Sequence, residues 1–338
     1  INRWSVTGRC DRDINAKCFK IYDVFYRYMN LTEKKRLLYL WSSDFRTHIT
    51  DKRWREYNQN LEAFDETLAK KYGALSQIKV SKAAKYKMSP IGKSNKPFRI
   101  TLDDLKVEIL LRSLCVKVVS CEKEVVLKSV LHGEFSNISN AADYLSGGMY
   151  LYEHKDNLIF TDYELERVKT CFIENTHLFK GSIINNFFKL KKCVKINLNE
   201  RWTSFEWKFV PKKSSKRILR FGNFLIPKCS IIKVYQNANF PENEIKTINN
   251  SFSHSEAFSK RLSSSSALPL NNGKFFVKTS ESTIAFEFDP SESYSGVMLE
   301  NIEIANASYY RVMFSCSEID DTSVSNKVAV DFRITIKW

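Results

Sequence analysis

Three short stretches in the last third of this 338-residue chain carry groups that could do chemistry, and their order matters. Arg220 sits in Ile218-Leu219-Arg220-Phe221-Gly222, an apolar run that reads as a strand. A guanidinium there is a permanent cation with a bidentate fork, suited to a phosphate or diphosphate. Next comes the run Ser263-Ser264-Ser265-Ser266, a row of hydroxyls at the head of a strand. Last is Glu303 in Asn301-Ile302-Glu303-Ile304, just before Ser308-Tyr309-Tyr310-Arg311-Val312. A fixed carboxylate at such a point can stabilise positive charge that develops in a transition state.

In order, spacing and strand context these residues resemble the mono-ADP-ribosyltransferase family, over about residues 195–338. The resemblance implies NAD as substrate. Arg220, followed by Gly222, would hold the NAD diphosphate and the nicotinamide ribose. Ser263, Ser264 and Ser265 would line the nicotinamide pocket, with Ser264 or its neighbour steadying the catalytic glutamate. Glu303 would bond the ribose 2′-OH and stabilise the ribosyl cation as nicotinamide leaves. Asn301 departs from the pattern, because many members carry Glu or Gln there to select the acceptor. The implied protein is an NAD-dependent transferase, effector- or toxin-like, that modifies a macromolecular acceptor, a protein by preference. Arg220, the serines and Glu303 should then share one concave site, within about 10–15 Å of each other. The competing reading is non-enzymatic: a basic α+β protein that binds nucleic acid, or an assembly protein of a virus or secretion system.

The elements that must position these groups divide the chain in two. Residues 1–190 read as a mostly helical, basic region and residues 191–338 as an antiparallel, β-rich, split-sheet domain, so the expected class is α+β. Cys18, Ile21, Tyr22, Phe25, Tyr28 and Met29 fall on one helical stripe. Thr32 is placed to cap a helix through Trp41, and Asp51 one that carries Trp54, Tyr57, Leu61, Phe64, Leu68 and Tyr72 before Gly73. Further helices are expected from Thr101 through Cys115, in two pieces over Leu127–Leu145, and from Thr161, with Glu164 as capping box, to Leu178. From about Cys193 the period changes to two. Phe205, Trp207 and Phe209 alternate with polar residues, as do Val328 to Ile336, and short strands are expected at 217–221, 231–235, 283–288 and 309–314.

Bulk properties narrow the classes. A net charge of +15, most of it before residue 200, favours acidic partners. The seven cations of Lys79–Arg99, with no acid among them, read as an exposed basic loop that could face nucleic acid or an anionic surface. No apolar run is long enough for a membrane helix. The chain begins with Ile1, not Met, which leaves a preceding segment or signal neither indicated nor excluded. Eight scattered cysteines without a C-x-x-C pair argue for reduced thiols, a reducing cytosol and no zinc site. The five histidines show no metal-ligand spacing.

Overall fold

The computed structural model describes residues 9–42, 49–73, 88–91, 96–121, 124–130, 144–227, 233–236, 247–248, 267–268, 273–278, 283–304, 307–320 and 322–338. Among the described residues helices occupy the start: α1 (Asp11–Phe25), α2 (Leu31–Trp41) and α3 (Asp51–Tyr72). Their stripes meet in a small core of Cys18, Ile21, Phe25, Leu37, Tyr57 and Phe64. The caps lie one or two residues from the expected ones. Asn30, not Thr32, closes a reciprocal capping box with Glu33, and Thr50, not Asp51, accepts from the Arg53 amide.

The other regular elements among the described residues are strands. In chain order these are β1 (Ser89–Pro90), β2 (Phe98–Leu102), β3 (Leu105–Leu110), β4 (Cys115–Cys121), β5 (Glu124–Lys128), β6 (Gly148–Glu153), β7 (Leu158–Thr161), β8 (Glu166–Ile173), β9 (Thr176–Ile184) and β10 (Phe188–Asn197). They continue as β11 (Trp202–Pro211), β12 (Arg217–Pro227), β13 (Lys233–Gln236), β14 (Thr247–Ile248), β15 (Ala267–Leu268), β16 (Lys274–Lys278), β17 (Thr283–Glu287), β18 (Gly296–Ile304), β19 (Ala307–Ser317) and β20 (Val330–Lys337). Two antiparallel sheets result. One runs β1-β8-β9-β10-β11-β20-β17-β16-β13-β14; the other runs β15-β18-β19-β12-β5-β4-β3-β2, with β6 joined to β12 and β7 to β6.

This corrects the expected class. The last described helix ends at Tyr72 and no split-sheet domain begins near 191, because strands from both sides of residue 190 share each sheet. The stretch from Thr101 to Cys115 is a β-hairpin that turns at Asp103, where φ is +50°. Leu105 and Ile109 are four residues apart, a spacing that fits a helix and also fits the same face of a strand. Val107 between them, fully buried, decides for the strand. Likewise Leu127 lies in β5, the second expected helix falls largely outside the described residues, and Tyr144 bridges to Val130. Thr161 ends β7 rather than capping a helix. Its proposed partner Glu164 bonds Arg112 instead. β8 and β9 then form a hairpin through Glu174 and Asn175, both at positive φ, as a two-residue hairpin turn requires. The strands expected at 205–209, 217–221, 231–235, 283–288, 309–314 and 328–336 overlap β11, β12, β13, β17, β19 and β20.

The core between the sheets is aromatic. Phe205, Trp207, Phe221, Phe224, Phe314 and Phe332 are all buried, and neighbouring ring centroids lie 5.1 to 6.3 Å apart. No helix among the described residues is long and apolar enough to cross a membrane.

Candidate functional site

Arg220 and Glu303, the two of the singled-out chemical groups that the described residues include, do not come together. Arg220 lies in β12, and its fork is closed: Nε donates to Glu318 Oε1 at 2.6 Å and Nη2 to Oε2 at 2.8 Å. Both side chains are nearly buried, and the Ser315 hydroxyl donates to the same carboxylate. A guanidinium so engaged is a structural pin between β12 and the end of β19, not a free diphosphate clamp. Gly222 serves packing. Its φ is +101°, an added Cβ would stand 2.7 Å from the Phe224 ring, and its carbonyl accepts from the Gly147 amide. Ser263, Ser264 and Ser265 lie outside the described residues.

Glu303 is in β18, where its backbone pairs with Ser308, and Asn301 pairs with Tyr310. Arg220 pairs with Ser315 on the same strand β19. From Ser308 to Ser315 is about 23 Å at ~3.3 Å per residue, well beyond one shared pocket. The geometry therefore removes the mono-ADP-ribosyltransferase reading and its transferase activity: the arginine is occupied and the glutamate lies at the far end of the neighbouring strands. The basic loop expected at Lys79–Arg99 falls mostly outside the described residues. Of its members, Lys96 is exposed and Arg99 pairs with Glu108 at 2.9 Å. Burial pushes the Glu108 carboxyl up, but hydrogen bonds from Lys106 and Arg99 outweigh it and hold it below the usual range.

Two further ionic networks sit inside the sandwich. Lys192, at an inward position of β10, is completely buried. Its ammonium donates to Asp162 Oδ2 at 2.8 Å, to the Ser113 carbonyl at 2.7 Å and to Cys115 Sγ at 3.2 Å. Asp162 also accepts from the Met149 amide and the Trp207 indole. Burial works against the ammonium, yet the Asp162 carboxylate more than offsets it, so the lysine stays charged. In the second network Arg217 donates to Glu153 at 3.0 Å between β12 and β6. Both lock strands together and neither opens to solvent.

The outer face of the first sheet is different. β10 alternates, with Phe188, Leu190 and Val194 inward and Lys189, Lys191 and Lys195 outward. Strand pairing sets Lys180 of β9 opposite Cys193, diagonal to Lys191 and Lys195, and Lys169 of β8 directly opposite Lys180. None of Lys169, Lys180, Lys189, Lys191 and Lys195 has an acidic partner among the described residues. On the same face toward β20, Lys208 pairs with Glu206 and Asp331, and Lys337 with Glu287 at 2.6 Å. Like charges directly across a strand pair cost roughly 0.2–1 kcal/mol. The fold gains nothing from holding Lys169 against Lys180.

This face runs into a cleft of about 480 Å³. Lys189 and Lys191 of β10 and Lys208 of β11 form its floor, and Arg12 of α1 stands over them. Arg12 is fixed by Asp13, at 2.6 Å, and by the Ala329 carbonyl, at 2.9 Å; its Nη1 is buried without a hydrogen-bond partner. Glu292 and Asp331 are the two acids in the lining. No activated nucleophile faces it. Burial pushes the Cys193 thiol on this sheet up to about 11, and the Cys316 thiol, near Arg12, up to about 12, so both stay protonated at neutral pH. Arg12 is paired with Asp13 and Lys208 with Glu206 and Asp331, so the cations left to hold an anion are Lys189 and Lys191. Sequence reasoning missed this site, although the lysine alternation in β10 was a signal.

The fold thus defines a two-sheet antiparallel β-sandwich with a short helical N-terminal layer. No family model and no curated protein matches the chain. Among solved structures it is similar to a protein of Synechocystis sp. PCC 6803, at 11% identity over 75% of this chain and 99% of that one, with a TM-score of 0.47. It is similar to a galactose mutarotase related enzyme of Lactobacillus acidophilus, at 10% identity over 71% and 96%, TM-score 0.42. It is also similar to a 4-alpha-glucanotransferase of Thermococcus litoralis, at 9% identity over 96% of this chain and 48% of that one, TM-score 0.42. None of these is named as an ADP-ribosyltransferase.

Proposed function

We infer that this chain is an anion-binding protein whose site is the cleft between α1 and the first sheet. One observation carries the reading: Arg12, Lys189, Lys191 and Lys208, from three separate elements, converge on one cavity. The cavity volume lies in the range of ligand sites, and such convergence is uncommon unless a negative charge completes it. Lys189 and Lys191 supply adjustable point charges, and Arg12, its Nε and Nη2 held by Asp13 and the Ala329 carbonyl, walls the cleft, an arrangement suited to a multiply charged phosphate or sulfate.

The test is calorimetric titration of the full chain with inorganic tripolyphosphate at low and at physiological salt. Binding should weaken as salt rises, because exposed charges are screened. Lys189→Ala and Lys191→Ala should each weaken it about two- to fivefold, the worth of an exposed ion pair. Both lysines are exposed and lack acidic partners, so folding should be unchanged. Absence of binding at low salt, or binding that ignores both substitutions, would overturn the reading.

A further inference from the structure

The cationic surface does not stop at the cleft. Lys180 continues it one strand away from Lys191, and Lys169 one strand beyond that, while Lys195 extends it along β10. From Lys208 on β11 to Lys169 on β8 is three strand spacings and one two-residue step, on the order of 15 Å. A compact anion would fill the cleft and leave Lys180 and Lys169 facing each other unneutralised. The occupant that satisfies both is long and thin.

The face also says what the occupant is not. A bilayer or a duplex is too broad to enter a cleft walled by Arg12. Single-stranded nucleic acid is held by exposed aromatic rings on which bases stack. Around these lysines the other outward residues of β8 to β11 include Cys171, Leu178, Ser182, Cys193 and Ser204, with Glu166 opposite Ser182 and Glu206, paired to Lys208, opposite Cys193. Among the described residues of β8 to β11 the ring on this face is Trp202, at the far end of β11, half-buried with its indole N–H committed to Glu200. A surface with cations in a line and no stacking platform reads charge borne along a chain.

Resting on the anion reading above, we propose that the natural ligand is a linear acidic polysaccharide. Its sulfate or carboxylate groups lie on Lys191, Lys180 and Lys169, and one end enters the Arg12 cleft.

The test compares a heparin disaccharide, a heparin octasaccharide and an oligothymidylate of equal charge to the octasaccharide, each titrated into the full chain. The paired variant Lys169→Ser with Lys180→Ser removes two exposed like charges and should fold normally, checked by its melting curve. The octasaccharide should bind roughly tenfold more tightly than the disaccharide, since two or more contacts of two- to fivefold each are added. The paired variant should lose that gain while tripolyphosphate affinity stays at the parent value. Tripolyphosphate binding without any gain from length, or a gain that the paired variant retains, overturns the lysine track and leaves the cleft reading standing. Oligothymidylate binding as tightly as the octasaccharide overturns the polysaccharide in favour of nucleic acid. Failure of every probe, tripolyphosphate included, removes both readings.

Discussion

Lys192→Met should be among the most damaging single changes in the sandwich. The side chain is wholly buried, as is Asp162, so removing the ammonium leaves a carboxylate with two neutral donors, the Met149 amide and the Trp207 indole. Breaking a buried pair by deleting one partner costs about 3–5 kcal/mol. The lost bond to the Ser113 carbonyl adds about 1 kcal/mol more. Against a total stability of about 5–15 kcal/mol this is a large fraction. In urea, with a slope of about 3 kcal/mol per M, the midpoint should fall by more than about 1 M. Asp162→Asn combined with Lys192→Met removes both charges and keeps an acceptor for the Met149 amide. The double variant should therefore be more stable than Lys192→Met alone, giving a coupling energy of roughly 1–3 kcal/mol. Equilibrium unfolding of the four proteins of this cycle measures it directly. A Lys192→Met midpoint within about 0.3 M of the parent would show that the pair does not hold β10 to the loop carrying Asp162.

Three other outcomes follow from the same structure. Gly222→Ala should destabilise by about 2 kcal/mol or more, because a side chain at φ +101° is strained and the new Cβ would push on the Phe224 and Phe314 rings; thermal melts measure it. Arg220→Lys should cost about 1–3 kcal/mol in urea unfolding, since a single ammonium cannot close the two-point bond to Glu318 inside a nearly buried site. His177, half-buried beside Phe98 and Phe172, has its pKa lowered by burial, so the unfolded chain takes up its proton first. Its contribution is intact above about pH 6.5 and is lost as pH falls below that value. His177→Gln should flatten this acid limb, read as melting temperature between neutral and mildly acid buffers.

The helices of the first 72 residues were legible because their stripes repeat at three and four over many turns, which no strand can mimic. The later strands were legible where aromatic residues alternate, as at Phe205, Trp207 and Phe209. Between residues 98 and 190 the signal was ambiguous for a physical reason. Leu105 and Ile109 satisfy both periods, and Thr161 with Glu164 imitates a helix cap whose hydrogen bonds go elsewhere in the fold. The site failed differently. Arg220, the serines and Glu303 were joined by their order alone, and order says nothing about which carboxylate reaches the arginine. Glu318 does so from 98 residues away. In Phe188-Lys189-Leu190-Lys191-Lys192-Cys193-Val194-Lys195, the alternation that marks the cationic face is broken by Lys192. That lysine looks like one more surface cation until Asp162 is seen to take it inside. Arg12 could not have been joined to this run from sequence, because its bond to the Ala329 carbonyl, 317 residues along the chain, brings it to the β10 lysines. What the sequence carried was the excess of positive charge. The two sheets decide which lysines are spent on carboxylates and which remain to meet a ligand.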